Sequence, residues 1–455
     1  MILSVRASLT AITAAIFIIF LFSCSGEKVE DDKRKGSLTI MANAVSGGMN
    51  SQVAEWLQEE IPGIEDELGV DVEFLPAGLN DQDYKARIAL DIKAGRGADV
   101  IAIDQFWVPE FAGAGFIIEL DRFYKNWETR EKFFGPVREM GVYRGKVYLV
   151  PWNADVRMLF YHREILEKSG VEMPWEPASW EDLIEAGNKI KARFPEVAPI
   201  QINAGTVMGE ATTMQGFYMV LRGADGRLFD RERQCWITDS GPIRRTAEFY
   251  RKVYVDDKLA DPELQISPKA REKSFGNFSR GEIAIFAEST WFYTSVLNPS
   301  NDSWGIEDRD SNIGWTRMPG GGRAGDPDYV SVSGGDGLVI NPSTKDPEMA
   351  WRLIEELMEL DRQKRLFLKK PFTPTRSDLA ELPEVREHEF ISLAAAKVMP
   401  YTSFRPALPN YPDVSFHVQY LTERIVTGQL SVEDALAEFD EAVRNAVGDE
   451  NVCDQ

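Results

Sequence analysis

The chain has 455 residues, 44% apolar and 11% aromatic, enough for two well-cored domains and too apolar for a disordered protein. Its formal charge of −22 argues against nucleic-acid binding, which needs basic patches over phosphates. Three histidines and three cysteines, with no HExxH, CxxC or His cluster, argue against a metal centre.

At the start, Arg6 is the only charge before an apolar run, Ala14 through Phe22. The run is too short to span a membrane comfortably and has the anatomy of a secretory signal. Leu21-Phe22-Ser23-Cys24 then reads as a lipoprotein cleavage site. Residues 1–23 are read as a signal peptide and Cys24 as the lipidated first residue of an exported, membrane-tethered protein. Residues 24–36 are a polar, flexible linker.

Folded sequence starts at Ser37. Ser37–Ala42 and Val70–Pro76 read as strands, and Gln52–Leu68 and Asp83–Ala94 as helices with one apolar face. Ala98–Ile103 is almost continuously apolar, as in a strand covered on both faces. Lys146–Val150 and Met158–Tyr161 read as strands around Pro151. Ser179 caps a helix reaching about Phe194, and Pro242–Val255 is another helix. Gly281–Phe286 and Gly337–Asn341 read as strands. Pro347–Met358, Leu393–Val398, Val414–Thr427 and a segment capped by Ser431 read as helices. Asp302–Ser333, rich in Gly, Asp and Ser, reads mostly as loop. The alternation is that of an α/β protein. Cys235 and Cys453 remain, either free or paired.

No GxSxG, P-loop or GxGxxG opening a helix is present, and no carboxylate spacing singles out a glycosidase pair. Three segments place aromatics beside polar residues after strands: Asp104-Gln105-Phe106-Trp107, Pro151-Trp152-Asn153-Ala154-Asp155 and Glu288-Ser289-Thr290-Trp291. Ligands of open α/β sheets bind beyond strand ends. An aromatic face matches the C–H face of a sugar ring, and flanking polar groups match its hydroxyls. The competing reading is that each tryptophan is core.

Several segments carry a resemblance to a known family. They are Gly97-Ala98-Asp99-Val100 with Gly113–Leu120, Tyr143–Pro151, Leu159–Leu166, Ser179–Leu183 and Phe278–Ile285. In that order the chain resembles the family 1 extracellular solute-binding proteins of ABC importers, the group containing maltose- and trehalose-binding proteins. The resemblance covers Ser37 to Val447. Ala98 stands where the family has Pro, and His162 where it has Asn.

The resemblance implies a two-lobed periplasmic-binding-protein fold of type II, each lobe a mixed sheet flanked by helices. The N-lobe is residues 37–153 plus 338–374, and the C-lobe 156–334 plus 379–455. Hinges fall near 153–156, 333–337 and 374–379. It also implies a ligand site: Asn43 and Ser46, then Asp104, Gln105 and Trp107, then Trp152 and Asp155. Trp291 is the C-lobe stacking platform. Gly334, Gly335 and Asp336 begin a hinge strand where ligand approaches backbone, and Arg405 and Tyr411 precede a C-lobe helix. Trp56, Trp127, Trp180, Trp315 and Trp351 are read as core. The expected protein is a monomeric, non-enzymatic, cofactor-free receptor that delivers a di- or oligosaccharide to a permease. A polyamine ligand, or a glycosidase, is the alternative.

Overall fold

The computed structural model describes residues 36–453, apart from Met49 and Asn80. The readings on the signal peptide, Cys24 and the linker up to residue 35 lie outside these residues.

The run Val100-Ile101-Ala102-Ile103 organises the first sheet. Successive side chains on a strand face opposite ways. Val100 and Ala102 join one buried cluster, and Ile101 and Ile103 the other. Both faces therefore need cover. Helix Ser51–Leu68 buries Val53, Trp56, Leu57 and Ile64 on one side. Helix Asp81–Lys93 places Tyr84, Ile88 and Ile92 on the other. The sheet has five strands, in the order Asp71–Pro76, Ser37–Ala42, Val100–Asp104, Asp336–Ile340, Val150–Pro151. The first three are parallel, and the last two run antiparallel to their neighbours.

The second sheet is built on Asp155–His162, buried along almost its whole length. It pairs antiparallel with Ile283–Ser289, which pairs in turn with Ala198–Gln201. On its other edge it meets Ile313–Thr316 and then Tyr329–Gly334. Met318–Pro319 and Thr402–Ser403 extend that side. Helices Trp180–Arg193, Gly241–Arg251, Ala270–Ser279, Tyr411–Val426 and Val432–Val447 pack around it. Ser179 and Ser431 cap their helices as expected, accepting from the Asp182 and Asp434 amides at 3.2 and 3.1 Å.

Three expectations change. Asp302–Ser333 is loop over half its length, as expected, but it also holds Ile313–Thr316, Met318–Pro319 and most of Tyr329–Gly334, strands of the second sheet. Their glycines hid them; Gly314 packs so closely on Tyr161 that a Cβ would lie 2.3 Å from its ring. Lys146–Val150 is not one strand. Lys146–Val147 pairs back on Val142–Tyr143, and Val150–Pro151 joins the first sheet. The cysteine question resolves as a disulfide between Cys235 and Cys453, with Cα atoms 5.1 Å apart.

Trp56, Trp127, Trp180 and Trp351 are buried core residues, and Trp315 is half-buried against Phe390. Among the described residues no helix is long and apolar enough to cross a membrane.

His162 is buried and donates from Nε2 to the Phe278 carbonyl at 2.7 Å. Burial holds its pKa below the ordinary 6.5, against the opposing effect of that hydrogen bond. His388 and His417 shift the same way, again chiefly through burial. The folded state thus favours neutral imidazoles. Their contribution to stability is full above the unfolded pKa and is lost as the pH falls below it. The unfolding midpoint is expected to drop between about pH 7 and about pH 5.5. His162→Gln, which keeps a donor and does not titrate, flattens that slope in pH-dependent thermal melts. A slope identical to wild type contradicts the assignment.

Candidate cleft between the two sheets

The two sheets meet where the chain crosses between them. Trp152-Asn153-Ala154 separates Val150–Pro151 from Asp155–His162, and Gly335 alone separates Tyr329–Gly334 from Asp336–Ile340. The crossings are bonded to each other. Asn153 Nδ2 donates to Asp336 Oδ2 at 3.3 Å, and the Asp336 amide donates to Asn153 Oδ1 at 3.2 Å. The Gly334 amide donates to Asp155 Oδ1 at 2.9 Å.

A cleft of about 190 Å³ opens beside these crossings, at the ends of the strands. Nine of the expected residues line it: Asn43, Asp104, Trp107, Trp152, Asp155, Trp291, Gly335, Asp336 and Arg405. Four do not. Ser46 is exposed in its loop, because the turn after Ala44 carries it away. Gln105 is buried behind the wall, its backbone N–H donating to the Gly335 carbonyl at 3.0 Å. Gly334 lies behind Asp155; a Cβ there would sit 3.2 Å from Arg157 Nη1 and 3.4 Å from Arg405 Nη2. Tyr411 is fully buried and donates to Glu210 Oε1 at 2.6 Å. Asn43 reaches the lining, but both ends of its amide bind the Leu79 backbone, at 2.9 and 3.1 Å.

Gly335 has a different reason from ligand approach. A Cβ there would lie 2.3 Å from the Asn153 carbonyl oxygen, so the glycine lets the two crossings pack together.

Arg405 is the central charge. It is 3% exposed, with Nη2 3.1 Å from Asp104 Oδ1 and Nη1 2.9 Å from Glu210 Oε1. Its guanidinium lies over the Phe106 ring, 4.0 Å from the centroid. Asp104 ends a strand of the first sheet, whereas Arg405 follows Thr402–Ser403 of the second. The pair therefore spans the cleft. Ser415 Oγ donates to Glu210 Oε2 at 2.7 Å, so both oxygens of Glu210 are satisfied. Burial opposes the charge of Arg405, but Asp104 and Glu210 outweigh it and hold its pKa above the ordinary value. Burial and Glu210 push the Tyr411 phenol well up, which keeps it a donor.

The remaining lining was not expected from sequence. Arg157 pairs with Asp155; two residues apart on one strand, they share a face, a signal that alternation offers. Lys370 Nζ donates to Asn50 Oδ1 at 2.7 Å, and its pKa is lowered by burial against the pull of Asp336 and Asp155. Gln215 lies in a π-helical turn, Thr212–Phe217, and a second π turn, Phe292–Val296, follows Trp291. Such turns are rare and collect at functional sites. Nothing in the sequence marks them. In all, four carboxylates (Asp104, Asp155, Glu210, Asp336) and four cations (Arg157, Arg271, Lys370, Arg405) line the cleft. Five lining side chains keep a buried polar atom without a hydrogen-bond partner: Trp152 Nε1, Arg157 Nε, Arg271 Nε, Arg405 Nε and Gln215 Oε1.

Residues 50–360 match the family described as bacterial extracellular solute-binding protein. The chain belongs to that family. A binding protein of Brucella abortus is 22% identical over 403 residues, 88% of this chain and 90% of its own. A maltotriose-binding protein of Pyrococcus abyssi is 22% identical over 330 residues, 70% of this chain and 64% of its own. An ABC-transporter solute-binding protein of Thermotoga lettingae, solved with α-D-tagatose, has a TM-score of 0.78 at 24% identity, covering 91% of this chain and 100% of that one. The acarbose-binding GacH receptor of Streptomyces glaucescens gives 0.76 at 21%, covering 91% and 99%. At these identities the structural likeness concerns the two-lobed fold. These solute-binding relatives are binding proteins rather than enzymes.

Removing one partner from a buried ion pair costs about 3 kcal/mol. Arg405→Met is expected to lower stability by about that amount in urea unfolding, because Asp104 and Glu210 both lose their shared cation. A loss below about 0.5 kcal/mol, as at an exposed pair, would show that water screens the bridge.

Proposed function

We propose that this protein captures a neutral sugar, a di- or oligosaccharide, between its lobes and delivers it to an ABC permease. The lobes are residues 37–153 plus 338–374 and residues 156–334 plus 379–455. They swing at segments 153–156, 333–337 and 374–379. The protein is exported, monomeric and held at the membrane surface by lipid on Cys24. Ligand binding favours the closed arrangement through contacts that exist only when both walls touch it.

The observation that carries the reading is the balance of the cleft. Four carboxylates face four cations, and Arg157 and Arg405 are each held by carboxylates of the lining. Paired charges present directional donors and acceptors with only a weak net field, because Glu288 behind Arg271 adds a single negative charge to the balanced lining. Hydroxyls, which donate and accept, fit that surface; a polyamine, which offers only N–H donors, does not. Four of the five unpartnered buried atoms of the lining are N–H groups, which favours a ligand carrying acceptor oxygens. Trp291, half-buried in the lining, supplies a ring face for stacking, whereas Trp107 and Trp152 are packed into the core. The ligands of the relatives, tagatose, acarbose and maltotriose, agree in chemistry.

The test is calorimetric titration of the mature chain with maltose, maltotriose, cellobiose and spermidine. At least one sugar is expected to bind at about micromolar affinity, and spermidine is not. Spermidine binding with every sugar inert would overturn the reading. Trp291→Ala is expected to weaken sugar binding about tenfold or more, with thermal unfolding little changed. A matched loss of stability would make Trp291 a core residue instead.

A further inference from the structure

Glu288 is the penultimate residue of the strand Ile283–Ser289 and is 0% exposed. Its Oε2 accepts from Gln215 Nε2 at 3.3 Å and from the Ser289 amide at 3.1 Å. Its other oxygen, Oε1, faces Arg271 Nη2 at 3.5 Å. Arg271, near the start of helix Ala270–Ser279, lies over two rings, 5.0 Å from the Trp291 centroid and 5.6 Å from that of Phe275.

Glu288 itself does not line the cleft, but Arg271 and Gln215 do. A carboxylate directly behind a guanidinium cancels most of its charge as felt from the front. It leaves the hydrogen-bonding capacity of the group, because a guanidinium has five N–H donors. Arg271 Nε and Gln215 Oε1 both lack a partner. This wall therefore offers one donor beside one acceptor, with no net charge, at the foot of an aromatic platform.

We propose that Glu288 sets the charge preference of the cleft. By neutralising Arg271 it makes this wall select a neutral hydroxylated ring over a uronate, with Arg271 donating to one hydroxyl and Gln215 accepting from another. The inference rests on the sugar reading above. Glu288 acts through its neighbours and is a positioning residue. A ligand carboxylate against Arg271 would meet a second, buried carboxylate behind the same guanidinium, and one cation cannot compensate both. Removing the Glu288 charge leaves a bare guanidinium on two rings, which is an anion receptor.

The experiment titrates wild type and variants with maltose and cellobiose, each paired with the same disaccharide oxidised to a uronate at its non-reducing end. Wild type is expected to bind a neutral member about tenfold or more tighter than its uronate. Glu288→Gln keeps the shape and an acceptor oxygen, and is expected to move that ratio at least about tenfold towards the uronate. Adding Arg271→Met to Glu288→Gln is expected to abolish the shift, an effect that a merely structural role of Glu288 does not produce. Should Glu288→Gln fail to fold, Arg271→Met alone decides: it lowers neutral-sugar affinity about tenfold, with some loss of stability because Glu288 loses its cation, and undiminished affinity overturns the proposal. If wild type binds none of the four probes, this inference falls, and the sugar reading falls with it only if maltotriose is inert and spermidine binds. If wild type binds a neutral sugar but prefers the uronate, or if Glu288→Gln leaves the ratio unmoved, only this inference falls.

Discussion

Everything in this molecule depends on how tightly the two sheets are joined. One residue, Gly335, connects a strand of one sheet to a strand of the other, and three residues, Trp152 to Ala154, make the neighbouring connection. The two connections touch so closely that any side chain on Gly335 would collide with the Asn153 carbonyl. Links this short hold the two sheets close together. They also put the ends of strands from both sheets at one place. Asp104, Asp155, Asp336 and Glu288 are all strand-end residues or their immediate neighbours, and the cleft is where those ends converge.

That convergence creates an electrostatic problem. Carboxylates gathered in a buried groove repel each other and lose hydration. The fold answers by delivering cations: Arg157 from the strand of Asp155, Lys370 from the end of helix Leu360–Lys369, and Arg405 from the segment leading into helix Tyr411–Val426. Arg405 does most, joining an acid of each lobe while resting on Phe106. The groove is polar, with most of its charges paired. Its unpartnered N–H groups then act as a demand for oxygen acceptors, because leaving them unsatisfied costs free energy in a dry site.

The architecture was largely legible in the chain. Apolar runs such as Val100–Ile103 and helix caps such as Ser179 and Ser431 are local signals, and each appears where local physics places it. Legibility failed where local preference was overruled. Tyr329–Gly334 is a strand because its neighbours are strands, although its surroundings read as loop. The helix Leu360–Lys369 looks too charged to be packed, yet Arg362 is buried by pairing with Glu60 at 3.0 Å.

The site divides in the same way. Sequence by itself determined that the chain is an acidic α/β protein of the solute-binding kind. It also placed Asp104, Trp107, Trp152, Asp155 and Trp291 just beyond strands, because strand ends and aromatic–polar clusters are written in adjacent residues. Only tertiary structure decided which groups face one another. Glu210, Gln215, Arg271 and Lys370 carry no local mark, and Tyr411 and Gln105 turn out to support the wall rather than form it. The pairing of Cys235 with Cys453, 218 positions apart, belongs to the same class. The reason is physical. A strand or a cap is stabilised by neighbours in the chain, whereas an ion pair across a cleft exists only once two distant backbones have been packed against each other.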